Sequence, residues 1–262
     1  MKPWLLLLTF PFGCLAAYAN SSDFCTTQEV QLSTKLDMMY KMAWSDDIFE
    51  RREKANADFK DNLSQALTDP RSNTCDWSGL SGLVHIRYSP DKRLSAFTWD
   101  ATGSGTMHVF DGVFRFVDDA GNPQVLSDDS GGENFRIEQM NINPQKGWSP
   151  VYLVVGYGIG SSSIHGQRLN LLQFQNNRLT PVKLIRTKQG DADSIVFTYS
   201  PFSMSETDNL NELISIDSQQ NSFSIPVIIE NMEFPGGQIT KRRLNYRYNG
   251  KVFVYTGTTN RQ

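Results

Sequence analysis

Leu244-Asn245-Tyr246-Arg247-Tyr248-Asn249-Gly250-Lys251-Val252-Phe253-Val254-Tyr255-Thr256 decides the fold class. Residues alternate on both sides of Asn249-Gly250, the dipeptide that tolerates the positive φ angles of a two-residue hairpin turn. Working back along the chain, the same grammar repeats. Residues 222–229 pair with 214–217 across Ser218-Gln219-Gln220, and 169–174 pair with 179–186 across Gln175-Asn176-Asn177. Asp111-Gly112, between 107–110 and 113–117, reads as another tight hairpin. Residues 83–88, 94–99, 124–126 and 195–199 supply further strands. Residues 151–157 form an unbroken apolar run, the pattern of a central strand covered on both faces.

The strands group in units of about 35 to 40 residues, a period that suggests propeller blades. The expected fold is therefore mainly β: an antiparallel meander, propeller-like or a related all-β arrangement such as a sandwich. It follows an N-terminal helical segment.

That segment covers residues 26–68, which hold neither Gly nor Pro. Val30, Leu36, Met39 and Ala43 recur at helical spacing. Ser45-Asp46-Asp47 can cap a second helix, in which Ile48, Arg52, Ala55, Phe59, Leu63 and Leu67 step by three or four. Asp69-Pro70 supplies the stop. Still further out, Met1-Lys2, the apolar stretch 4–12 and Ala17-Tyr18-Ala19 have the layout of a secretory signal peptide cut before Asn20. Cys14 leaves with it, because Pro11 is a poor match to a lipidation site. The expected organisation is a signal peptide (1–19), a helical segment (20–76) and an all-β domain (77–262). Cys25 and Cys75 remain as an even pair in an exported chain, which reads as one disulfide.

Composition narrows the function classes. The 262 residues carry a net charge of −3, falling to −4 once Lys2 is removed. Nucleic acid is not expected as a partner, because phosphate binding needs a concentrated basic face. No stretch after residue 20 is long and apolar enough to span a bilayer. The expected location is the periplasm, with the extracellular space as the alternative.

The stretch Tyr88-Ser89-Pro90-Asp91-Lys92-Arg93-Leu94, followed by Trp99-Asp100-Ala101-Thr102-Gly103-Ser104-Gly105-Thr106-Met107-His108, is the most distinctive. It resembles a motif of uncharacterised exported bacterial β-rich proteins. In that motif a Ser-Pro-Asp-Gly-Lys turn precedes an aromatic strand, a Gly-rich turn and Thr-Met-His. Lys92 stands where the motif has glycine. The resemblance implies a helical segment ahead of a β domain and carries no activity with it. The Ser-Pro-Asp turn also resembles the turns of WD-type propeller blades.

Candidate chemistry is sparse. His85 lies inside a strand, His108 opens one, and His165 sits in the Gly-rich loop 156–166. No Gly-x-Ser-x-Gly elbow accompanies them, so no catalytic residue is assigned. Gly156-x-Gly158-x-Gly160 resembles half a dinucleotide fingerprint, but a strand-like segment follows where a helix is required. No cofactor and no metal site are expected. Asp118-Asp119 and Asp128-Asp129 read as turn residues. Loops on a rigid β scaffold often carry recognition. The expected ligand-binding residues are Trp148, Tyr157, Ile159, His165 and His108. Trp77 and Trp99 also lie near turns or strand ends, with Trp99 assigned to the core. The expectation is a non-enzymatic binding protein of the cell envelope, inhibitor- or immunity-like, that meets an envelope protein or glycan. A hydrolase of a cell-wall polymer or glycan and a structural envelope component are the alternatives.

Overall fold

The computed structural model describes residues 13–43, 45–101, 105–142, 150–205 and 209–260, with side chains from residue 22. Most of the expected signal peptide, and Trp148, lie outside them. Ala17-Tyr18-Ala19 falls inside the first helix, α1 (Gly13–Tyr40); α2 (Ile48–Thr68) follows. Ile48, Phe59, Leu63 and Leu67 are buried along one stripe of α2, as the spacing predicts. Val30 departs from the expected stripe of α1 and is exposed, whereas Leu32, Leu36 and Met39 are buried. Cys25 and Cys75 form the disulfide, tying α1 to the chain just after the 3-10 turn Pro70–Thr74.

Four strands follow: β1 (His85–Tyr88), β2 (Leu94–Asp100), β3 (Phe110–Val117) and β4 (Pro123–Asp128), an antiparallel meander in that order. Asp111-Gly112 is not a hairpin turn. It lies within β3, where Gly112 pairs with Thr98 on one side and Asp128 on the other. A Cβ on Gly112 would stand 2.9 Å from the Phe97 carbonyl oxygen, so glycine serves close strand approach here rather than chain reversal. Asp111 is held by Lys60 and Asn56 of α2, each at 2.7 Å.

Beyond β4 come β5 (Glu133–Met140), β6 (Val151–Ile159), β7 (His165–Gln175), β8 (Arg178–Pro181), β9 (Ile185–Thr187), β10 (Gly190–Ala192) and β11 (Ser194–Tyr199). The last four are β12 (Ser215–Asp217), β13 (Ser222–Asn231), β14 (Phe234–Tyr248) and β15 (Phe253–Asn260). The second sheet runs β11-β7-β6-β5, with β8 also on β7. The third runs β10-β9-β15-β14-β13-β12. Pairing is antiparallel except for one parallel contact between β15 and β9. The 169–174 hairpin closes on β8 alone, because the chain then leaves for the third sheet.

These elements stack in layers, and strand alternation explains how. Phe97, Trp99 and Val113 pack with Leu36, Phe59 and Leu63 of the helices. Leu94, Ala96, Phe114 and Phe116, from the opposite face of the first sheet, pack with Tyr152, Val154 and Leu172 of the second. Val151, Leu153, Val155 and Leu169, on the second sheet's other face, pack with Phe223, Ile225 and Phe253 of the third. The unbroken apolar run of β6 follows from burial on both sides. The fold is thus mainly β with antiparallel sheets behind a helical segment. Trp77 is buried with Trp99 rather than exposed.

Candidate functional site

The segment 156–166 is mostly ladder and only briefly loop. Gly156–Ile159 ends β6 and His165-Gly166 begins β7, leaving a turn closed by Gly160 and Ser161 N–H bonds to the Ile164 carbonyl. The turn meets the chain before β3, where the His108 N–H donates to the Ile159 carbonyl at 3.1 Å. Around this junction lies a cavity of about 370 Å³, lined in part by His108, Tyr157, Ile159 and His165. Four of the five expected binding residues therefore meet at one place. Trp148 lies outside the described residues.

The register divides these residues between two faces. Gly156 opposes Arg168, Gly158 opposes Gly166, and Thr198 of β11 opposes Gly166 in turn. Partners across a ladder share a face, so Gly158 and Gly166 present backbone where other strands present side chains. A Cβ on Gly158 would meet nothing within 4 Å. The exposed apolar side chains Met107, Val109, Ile164 and Val196 line the same cavity.

Arg168 forms its wall. Its guanidinium folds over Gly156, where a Cβ would stand 2.7 Å from Cζ. It donates to Asn134 Oδ1 at 2.9 Å and to the Gly132 and Ser130 carbonyls, and meets Asp128 Oδ2 at 3.5 Å. Burial pushes the Arg168 pKa below its ordinary value, and Asp128 opposes this. Asp128 serves the turn after β4, accepting the Ser130 N–H at 3.2 Å, and is also part of this buried network, which the sequence did not suggest. Asp118 serves a turn too, accepting the Ala120 and Asn122 N–H groups.

Tyr157 and His165 occupy the opposite face. Tyr157 Oη lies 2.5 Å from His165 Nδ1, and the His165 ring meets Tyr199 edge-on. Burial pushes the Tyr157 phenol up to about 12. Burial also holds His165 below the usual imidazole range, against a hydrogen bond with the Ser161 backbone. At neutral pH this is a neutral phenol and a neutral imidazole sharing one hydrogen bond. His108 is differently placed: its Nδ1 is 2.5 Å from Asp100 Oδ2, and its ring stacks on Phe110. That pairing fixes the imidazole and turns Nε2 away from the carboxylate. The sequence places Asp100 just past the strand 94–99; the structure makes it the last residue of β2 and the partner of His108. His85 pairs with Glu133 at 2.9 Å, away from the cavity.

No cluster of three metal-ligating side chains occurs among the described residues. The arrangement can admit a flat or apolar group against bare backbone, with one oriented imidazole at the wall. Neither family models, curated proteins nor solved structures yield a match to this chain.

Proposed function

We propose that this chain is an exported binding protein of the cell envelope, and that the Gly158–Gly166 bowl is its recognition surface. The observation that carries the reading is the paired glycines on a rigid ladder, ringed by four exposed apolar side chains. A bare floor with an apolar rim accepts an inserted side chain, the anchor-in-pocket arrangement that dominates protein interfaces. A sugar site would instead offer an aromatic platform, and the rim carries aliphatic groups. The partner is therefore a protein of the envelope or one secreted into it, which fits an inhibitor or immunity role. The Cys25–Cys75 bond supports export to an oxidising compartment. No helix among the described residues is long and apolar enough to cross a membrane.

The His108–Asp100 pair favours a second reading. A carboxylate on Nδ1 orients a histidine for general-base work at Nε2, and His108 lines the cavity. On that reading the chain is a hydrolase of a cell-wall polymer or glycan.

One experiment separates the two. Residues 20–262 serve as bait against an envelope extract of the source organism, read by mass spectrometry, alongside turnover assays on cell-wall polymers and glycans. Gly158→Trp fills the bowl where a side chain meets open space. A saturable protein partner lost in Gly158→Trp, and kept in the exposed-turn variant Ser162→Ala, supports binding. No partner, together with turnover abolished by His108→Gln, replaces it with the hydrolase.

A further inference from the structure

A second cavity, of about 550 Å³, lies at the other end of the first sheet. Its floor is a row in register across three strands: Tyr88 of β1 opposes Ser95 of β2, which opposes Arg115 of β3. Their side chains share one face. Arg115 is only 8% exposed. Its Nε donates to the Leu67 carbonyl at 3.3 Å, and its Nη2 to Ser72 Oγ at 3.2 Å and to Asn73 Oδ1. Every one of these acceptors is neutral, and Nη1 takes no part in them. Arg168 is buried to a similar degree but has Asp128 beside it. Burial depresses the Arg115 pKa, as it does that of Arg168.

One structural role for Arg115 is plain. Leu67 is in the last turn of α2, and a guanidinium there meets the negative end of the helix dipole, about half a charge. That leaves half the charge unmet and one edge of the fork unused. Lys92 at the mouth adds a positive charge and Asp76 removes one. Asp76 is already occupied by the Ser78 N–H and Oγ. The side chains lining the cavity therefore carry a net charge of one, and Glu29, outside the lining but near enough to act on Tyr88, opposes it; that is too little for a dianion beside a helix C-terminus. Its lining includes the exposed Tyr88 ring and Pro90, and the fully buried Trp77 and Phe97 of the helix-side core.

We infer that this cavity binds a small organic monocarboxylate with an apolar body, its carboxylate on the free edge of Arg115 and its body against the exposed Tyr88 ring and Pro90. Ser95 Oγ is the second donor; its present bond, to the Arg115 carbonyl, is long at 3.4 Å. The site is separate from the Gly158–Gly166 bowl and does not depend on what that bowl binds.

Phenylacetate is the probe, with benzyl alcohol as its uncharged counterpart and inorganic phosphate as the competing anion. Each is titrated into residues 20–262 and followed by the Tyr88 ring and Arg115 Nε–H resonances and by Tm. Phenylacetate is expected to shift both resonances saturably below about 10 mM and to raise Tm. Its affinity should exceed that of both controls by about tenfold or more. Arg115→Met should abolish the response. That variant also removes a helix contact, so Lys92→Glu, on an exposed turn, provides a second test and should weaken binding severalfold. An equal response to benzyl alcohol, tighter binding of phosphate, no saturation, or indifference to Lys92→Glu would each overturn the assignment.

Discussion

Gly156 and Arg168 face each other across β6 and β7, and the fold needs both. The guanidinium lies where a Cβ of residue 156 would be, and from there it satisfies Asp128 and Asn134. Arg168→Ala would leave the buried Asp128 carboxylate with the Asn134 amide and the Ser130 N–H but without its cation, and a loss of about 3–5 kcal/mol in urea unfolding is expected. Arg168→Lys should recover little, since an ammonium lacks the planar fork. A change below about 0.5 kcal/mol for Arg168→Ala would show that the network does not hold the sheet. The histidines predict a pH dependence with two opposed signs. The His85 pKa is raised, chiefly by its hydrogen bond to Glu133. Its contribution is complete below the unfolded value near 6.5 and disappears as pH rises through the higher folded value. His165 is depressed by burial, so its contribution is complete above about 6.5 and is lost as pH falls toward the lower folded value. His85→Gln should therefore leave stability rising with pH between about 5 and 8, and His165→Gln should leave it falling. The reverse pattern in Tm against pH would contradict the assigned environments. His85 is half exposed, so its slope should be the shallower and should fade with salt.

At the scale of the element, local chemistry was legible and partners were not. The hairpin of β14 and β15 forms where the sequence places it, but over four residues rather than two: Tyr248 opposes Phe253, Asn249 N–H donates to the Val252 carbonyl, and Gly250 alone in the turn has a positive φ. Asp111-Gly112 carries the same signal and sits mid-strand, because the Phe97 carbonyl beside it leaves no room for a side chain. Nothing within ten residues of Gly112 encodes that neighbour. Lys92 shows the converse. It adopts φ 58 in the Ser-Pro-Asp turn, the left-handed conformation that the glycine of the resembling motif supplies without strain. The glycines and histidines of the candidate bowl were visible as residue types. Asp100 beside His108, Arg168 over Gly156 and the Arg115 cavity all depend on register between distant strands, which periodicity does not report. The helical segment was the more readable part, since an apolar stripe and a cysteine count are local facts. The structure bridges Cys25 and Cys75 across a separation of 50 residues that holds all of α2. Replacing both cysteines by serine should cost about 4 kcal/mol if the unfolded helices are unstructured. The comparison is chemical denaturation of the double variant with the oxidised chain. A cost under about 1 kcal/mol would mean that α1 and α2 stay associated when the rest unfolds.

Across the described residues, four apolar clusters fill the spaces between four layers, two of them between the second and third sheets, and no layer is independent of the next. The first sheet gives Phe97 and Trp99 to the helices, and Leu94 and Ala96, from the same strand, to the second sheet. The second gives Tyr152 and Val154 to one side, and Val151, Leu153 and Val155 to the other. A strand shared in this way cannot lose one face without disturbing the backbone that holds the other. The fold should therefore unfold as one cooperative unit rather than layer by layer. Leu63, Leu94 and Leu153 test this, because each is fully buried and each belongs to a different cluster. Replacement by alanine should cost about 2–5 kcal/mol at every site. All three should move one transition, coincident by far-UV circular dichroism and by the fluorescence of the buried tryptophans. Trp77 and Trp99 sit in the helix-side cluster alone, so Leu153→Ala is the decisive case. If it lowers the dichroism midpoint and leaves the tryptophan signal in place, the third sheet is a separate unit and the layers are merely adjacent. If both midpoints fall together, strain at the far side of the second sheet reaches the helices two layers away. The bowl and the Arg115 cavity would then sit on one mechanical body.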